Sequence, residues 1–132
     1  MAKEILVVDD DPDYCQLTRV RLEKSGFKVT IVPNGAQALA LFENEYRPDL
    51  VILDVEMPGM NGLTTLLNLK VKKMVTLGNR PQAIPVIVAT GLQSEKLREI
   101  ISEHDVNAFL KKPYSAEELI NKIKELIEKE SG

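Results

Sequence analysis

Five short apolar runs punctuate the chain: Ile5 to Val8, Val29 to Val32, Leu50 to Leu53, Val86 to Ala89 and Ala108 to Leu110. They are rich in Val and Ile, and three are nearly continuous rather than alternating, which is how strands read when helices cover both faces of a parallel sheet. The segments between them carry helical spacing. The first places Tyr14, Leu17, Thr18 and Leu22 on one face, interrupted by Arg21, with Gly26 as its C-terminal cap. The second carries Gly35, Ala38, Leu39 and Phe42. The third carries Leu63, Leu66, Leu67, Val71 and Met74 before Gly78 and Pro81, and is expected to run past Met74. A fourth starts near Ser94 with Leu97, Ile100 and Ile101, and a fifth opens on Ser115 and Glu118 as a capping box, then buries Leu119, Ile123, Leu126 and Ile127. Alternating strands and helices joined by right-handed crossovers predict an α/β fold, a doubly wound five-stranded parallel sheet in the order 2-1-3-4-5 with five helices.

In such a sheet ligands bind beyond the carboxyl ends of the strands, where strand order reverses, here between strands one and three. The residues at these ends are chemically pointed. Strand one runs into Asp9, Asp10 and Asp11, and strand three into Asp54. Two carboxylates about 4 Å apart repel by about 4 kcal/mol at an effective dielectric near 20, so the cluster calls for a proton, a lysine or a metal. Strand four ends in Ala89, Thr90 and Gly91, offering a hydroxyl and a small residue, and strand five in Lys111, Lys112 and Pro113, offering a cation. A hard divalent ion such as Mg²⁺ suits this oxygen-rich set, which lacks the His and Cys donors that zinc prefers. Each residue alone has a plainer reading: Asp11 or Asp13 as a helix cap, Thr90 as a strand residue, His104 as a solvated helix-end residue. Their joint placement at successive strand ends carries the argument.

Composition narrows the class. The 132 residues suit one core, so residues 1–132 are expected to form one domain without repeat or linker. Net charge is −3 with no basic stripe, so direct nucleic-acid binding is not expected. No apolar run approaches the roughly 18 residues of a membrane span, and the opening MAKEILVVDD lacks the features of a secretory signal, so a cytoplasmic location without membrane contact is expected. A single cysteine, Cys15, agrees with a reducing compartment and is assigned to helix surface or packing.

The segments VVDDD, LDVEMPGMNG, VATG and FLKKP closely resemble the signature segments of response-regulator (CheY-like) receiver domains, and the resemblance spans essentially the whole chain. It implies a flavodoxin-like fold and phosphorelay signalling, with Asp54 as phosphoacceptor, Asp9 and Asp10 as metal-binding acids, Glu56 as a metal ligand through its backbone carbonyl, Thr90 as the conserved hydroxyl and Lys112 as the essential lysine. It also implies Mg²⁺ as cofactor, a cis peptide before Pro113, and a switch through Thr90 and the aromatic position, here Phe109 rather than tyrosine. The domain would be regulatory, catalysing its own phosphoryl transfer and dephosphorylation, with Glu56 and Leu92 flanking the water's approach. Its partners would be a sensor histidine kinase or phosphotransfer protein and a downstream effector protein or output domain. The 36 residues from Asp54 to Thr90 exceed the family's usual spacing, the excess falling between Lys70 and Pro85. Two other readings stand beside this one. A flavin mononucleotide binder would need a phosphate-cradling loop where three acids stand, and a Mg²⁺-dependent phosphohydrolase with an aspartyl nucleophile would need a cap or further acid. A stand-alone regulator and the N-terminal part of a longer protein are both compatible with the sequence.

Overall fold

The computed structural model describes residues 2–54, 84–90 and 108–131. Its elements in chain order are β1 (Glu4–Val8), α1 (Pro12–Lys24), β2 (Lys28–Val32), α2 (Gly35–Glu43), β3 (Leu50–Asp54), β4 (Val86–Thr90), β5 (Ala108–Lys111) and a C-terminal helix, α3 (Ala116–Ser131). The five strands form one parallel sheet in the order β2-β1-β3-β4-β5. The third and fourth helices expected from the sequence, including the run past Met74, lie outside the described residues, as do Glu56, Leu92 and His104. Each strand begins or ends within a residue of the predicted apolar run, and Asp54, Thr90 and Lys111 prove to be the last residues of their strands.

The continuity of the apolar runs has a direct structural reason. Strand side chains alternate between faces, and both faces are covered. Leu6, Val8, Val51, Leu53, Val86 and Val88 face one core with Ala38 and Phe42 of α2. Ile5, Val7, Leu50, Ile52, Ile87 and Ala89 face a second core with Cys15 and Leu22 of α1 and Leu119, Ile123 and Ile127 of α3. At the opposite edge from the strands' carboxyl ends, Asp49 ties β1 to β3: its carboxylate accepts from the Glu4 N–H at 2.7 Å and its own N–H donates to the Glu4 carbonyl at 2.8 Å. Among the described residues no helix is long and apolar enough to cross a membrane.

The first helix departs from the predicted stripe. Its buried residues are Cys15, Thr18 and Leu22, whereas Leu17 is 43% exposed. The inward face is therefore rotated: Cys15 is core, and Leu17 is surface. Arg21, which broke the stripe in the sequence, reaches across to donate from its guanidinium to the Tyr114 carbonyl at 3.1 Å. Asp11 is the N-cap, its carboxylate accepting from the N–H groups of Asp13 and Tyr14 at 3.1 Å each. The capping box of α3 is formed on one side: the Glu118 N–H donates to Ser115 Oγ at 3.0 Å, while the Ser115 hydroxyl meets the Glu118 carboxylate at 3.4 Å.

Helices α1 and α2 end in the same motif with different residues. After α1, Phe27 N–H donates to the Leu22 carbonyl at 3.1 Å and Gly26 N–H to that of Glu23 at 3.0 Å. After α2, Tyr46 N–H donates to Leu41 at 3.1 Å and Glu45 N–H to Phe42 at 3.2 Å. Both pairs make the Schellman pattern, which needs a left-handed residue just past the helix. Gly26, at φ +89°, fills that position with no neighbouring atom within 4 Å of where a Cβ would stand. Glu45 fills it at φ 68°, where a side chain is strained.

Gly26→Ala should lower stability by about 1 kcal/mol through backbone strain alone, and Glu45→Gly should leave it unchanged or raise it by up to about 1 kcal/mol; urea unfolding of both variants measures the opposed signs. Burial, and next the charge of Asp9, push the Cys15 thiol up to about 11 from an ordinary 9.0. The fold therefore favours the neutral thiol, so Cys15 should leave stability untouched below about pH 9 and lower it as pH climbs from there toward 11. At pH 8 the native protein should resist iodoacetamide while the urea-unfolded chain is alkylated readily; equal rates would contradict the burial.

Candidate functional site at the carboxyl edge of the sheet

Parallel pairing decides which side chains meet. Val8 lies opposite Leu53, so the residues that follow, Asp9 and Asp54, are delivered to the same edge from β1 and β3. Asp54 pairs with Ala89, and Thr90 with Lys111, which brings the ends of β4 and β5 alongside. The Asp9 N–H donates to the Val32 carbonyl at 3.1 Å and so keeps the chain in the β1–β2 ladder one residue beyond the strand. Asp9 Oδ1 then accepts from the Asp11 N–H at 3.0 Å, turning the chain into α1.

Asp9 and Asp54 are buried, at 6% and 4% exposure, and Asp10 is exposed. One carboxylate oxygen from each lies within 4.8 Å of the others. The Lys112 ammonium enters this cluster, donating to Asp9 Oδ2 at 2.6 Å and Asp54 Oδ2 at 3.3 Å. Burial works against the charged lysine, but the hydrogen bond to Asp9 and the charges of Asp54 and Asp9 outweigh it, holding the ammonium above the usual lysine range. It is therefore charged at neutral pH. Among the described residues three carboxylates share this one ammonium within the cluster, and a hard cation would relieve the excess. The donor set fits one: it is all oxygen, and the adjacent Cys15 is a neutral thiol that donates to the Asp9 carbonyl at 3.3 Å rather than offering a thiolate.

Four of the residues singled out from the sequence are thus placed: Asp9, Asp10, Asp54 and Lys112 come together, the last ahead of a cis peptide to Pro113. Thr90 stands at the end of β4, at the same edge, its side chain outside the described residues, as is Glu56. Phe109 lies opposite Val88 on β5, half-buried against the core shared with α2. Asp11 and Asp13 belong to the helix start rather than the acid cluster, as the capping reading has it.

The sequence reading missed a second layer behind the lysine. Tyr14, at the first turn of α1, presents its ring to Lys112 Nζ at 4.4 Å from the centroid. The same ring packs edge-on against Tyr114, centroids 5.5 Å apart, and its hydroxyl accepts from the Tyr114 N–H at 3.4 Å. Tyr114 is buried, which pushes its phenol well above the ordinary range. The signal was available: Tyr14 and Arg21 are seven residues apart on one helix, two turns on the same side, and both meet Tyr114.

Residues 5–124 match the response regulator receiver domain family. A 14.6 kDa protein of the sodA1 3′ region of Leptolyngbya boryana is 36% identical over 122 residues, 92% of this chain and 88% of that protein. The transcriptional regulatory protein CpxR of Klebsiella pneumoniae is 35% identical over 94% of this chain, but over 49% of its own length; the chain spans about half of such curated regulators. Among solved structures, a CheY-like response regulator receiver domain protein from Methanospirillum hungatei superposes with a TM-score of 0.84 at 28% identity, covering 99% of this chain and 98% of that one. The phosphohydrolase alternative is not favoured by any of these. The match over nearly the whole length, on a sheet that gathers Asp9, Asp10, Asp54 and Lys112 at one edge, makes this chain a member of the response regulator receiver domain family.

Proposed function

We propose that the domain accepts a phosphoryl group on Asp54 from a phosphohistidine of a sensor histidine kinase or phosphotransfer protein, and that the modified form binds an effector protein or output domain. The observation that carries this is the Lys112 ammonium shared between Asp9 and Asp54, beside a third carboxylate within 4.8 Å. One Asp54 carboxylate oxygen attacks phosphorus in line; the new P–O bond forms as the P–N bond breaks, and the electron pair leaves on the imidazole nitrogen. Asp9, Asp10, Asp54 and the Glu56 carbonyl would hold Mg²⁺, which when bound supplies positive charge to the phosphoryl oxygens. Lys112 already stands at the nucleophile and is charged, so it meets the transferred group without any proton movement. Thr90 takes a further phosphoryl oxygen. Hydrolysis of the acyl phosphate, catalysed by the domain itself, returns it to the resting form, with Glu56 and Leu92 flanking the water's approach.

The same reading extends to the rest of the chain. Residues 1–132 form one cytoplasmic receiver with five helices, the third and fourth lying between β3 and β4 and between β4 and β5. The domain itself contacts neither nucleic acid nor membrane. The effector reads the face of the fourth helix, β5 and α3: Thr90 moving toward Asp54 vacates space that the Phe109 ring fills, which gains about 1 to 3 kcal/mol if the ring starts largely exposed and less from its half-buried position.

With acetyl phosphate and Mg²⁺, mass spectrometry should find one added phosphoryl group on the wild type and none on Asp54→Asn, whose amide offers no nucleophilic oxygen; undiminished labelling of the variant would remove Asp54 from its role. Asp10→Ala should weaken Mg²⁺ binding at least about tenfold, whereas Asp13→Ala, lying outside the acid cluster, should change it by less than about twofold. Calorimetric titration compares them, and equal losses would place the ion elsewhere.

A further inference from the structure

The Lys112 ammonium carries three N–H donors on a flexible four-carbon stem, and two carboxylates alone do not fix where it points. Among the described residues it also meets the face of the Tyr14 ring, 4.4 Å from Nζ and well inside the roughly 6 Å reach of a cation–π contact. The ring is itself held. Its hydroxyl accepts from the Tyr114 N–H at 3.4 Å, it packs edge-on against the buried Tyr114 ring at 5.5 Å, and Arg21 fixes the Tyr114 carbonyl at 3.1 Å. Both backbone polar groups of Tyr114, two residues after Lys112, are thus bound by α1, one by Tyr14 and one by Arg21.

We infer that Tyr14 is a positioning residue for Lys112 through its ring, whose face holds the ammonium against Asp9 and Asp54; the Arg21 bond to the Tyr114 carbonyl keeps the chain that carries the lysine tied to α1 even without the Tyr14 hydroxyl. This rests on the reading of Lys112 as the cation that meets the transferred phosphoryl group. Tyr14 touches no reacting atom. Its effect is on the fraction of time the lysine spends aimed at Asp54, so the maximal rate of phosphoryl acceptance should suffer more than the donor concentration at half saturation. The ring, rather than the hydroxyl, is the part that meets Nζ, and phenylalanine should replace it.

The test compares wild type, Tyr14→Leu, Tyr14→Phe and Asp54→Asn by acetyl phosphate labelling with Mg²⁺ and by proton–carbon NMR of the lysine ε-methylenes. Protons above an aromatic face are shifted upfield, so the Lys112 ε-methylene should be displaced in wild type and Tyr14→Phe and return to the ordinary lysine position in Tyr14→Leu. The leucine variant should label roughly three- to tenfold more slowly at saturating donor, and the phenylalanine variant within about twofold of wild type. An unshifted Lys112 ε-methylene in wild type overturns the inference even if the leucine variant does not fold. Wild-type labelling rates in Tyr14→Leu overturn it while leaving Asp54-dependent acceptance standing. An equal loss in Tyr14→Phe would transfer the effect to the hydroxyl and overturn the role of the ring. Labelling that survives in Asp54→Asn, or fails in wild type, removes the parent reading and this inference with it.

Discussion

Two carboxylates, Asp9 and Asp54, are nearly withdrawn from water at adjacent strand ends, and the fold tolerates them because one ammonium reaches both. Burying a charge without a partner is costly, and burying two like charges side by side more so. The compensation is supplied by a lysine from the other end of the chain, 103 residues from Asp9. The site and the sheet are therefore linked: β5 must dock beside β4 for Lys112 to reach the acids of β1 and β3.

The rest of the architecture can be understood as holding that edge in place. Apolar side chains on both faces of β1, β3 and β4 lock these strands between α2 on one side and α1 with α3 on the other. Ridge and register then leave the strand ends little freedom, which is what a preorganised charge cluster requires. Asp49 performs a complementary task at the far edge, joining β1 and β3. The Asp11 cap and the Asp9 to Asp11 contact start α1 within two residues of the buried acid, so the helix that carries Tyr14 and Arg21 is referenced to the same point.

Much of this was legible in the sequence because period and position carry it. Near-continuous Val and Ile runs fixed the sheet and its parallel sense, and the acids, hydroxyl and lysine stood at strand ends whatever the details of packing. The reading failed in part on α1: Thr18 and Leu22 are buried as expected, but Leu17 is exposed and Cys15 is buried in its stead. A short helix with few apolar residues has a weakly determined face, and which side turns inward depends on what meets it across space. The layer of Tyr14, Arg21 and Tyr114 was legible only in half: helical spacing puts Tyr14 and Arg21 on one side of α1, but Tyr114 lies 93 to 100 residues away and local periodicity does not reach it.

The proposed reaction changes the charge balance that the fold depends on. A carboxylate carrying one negative charge becomes an acyl phosphate carrying about two, at a distance from Lys112 set by the same strand ends. The ammonium, shared in the resting form between Asp9 at 2.6 Å and Asp54 at 3.3 Å, is then drawn from the nearer acid toward the modified one. The backbone of Lys112 continues through Pro113 to Tyr114, whose backbone is held by α1 and whose ring lies in the core with α3. The chain on either side of Lys112 is thus tied to α1 and α3, and β5 carries Phe109 three residues before it. A resting structure in which the cation leans toward Asp9 rather than Asp54 is one with room to respond, and the asymmetry of those two distances is where a phosphoryl group on Asp54 would first be felt.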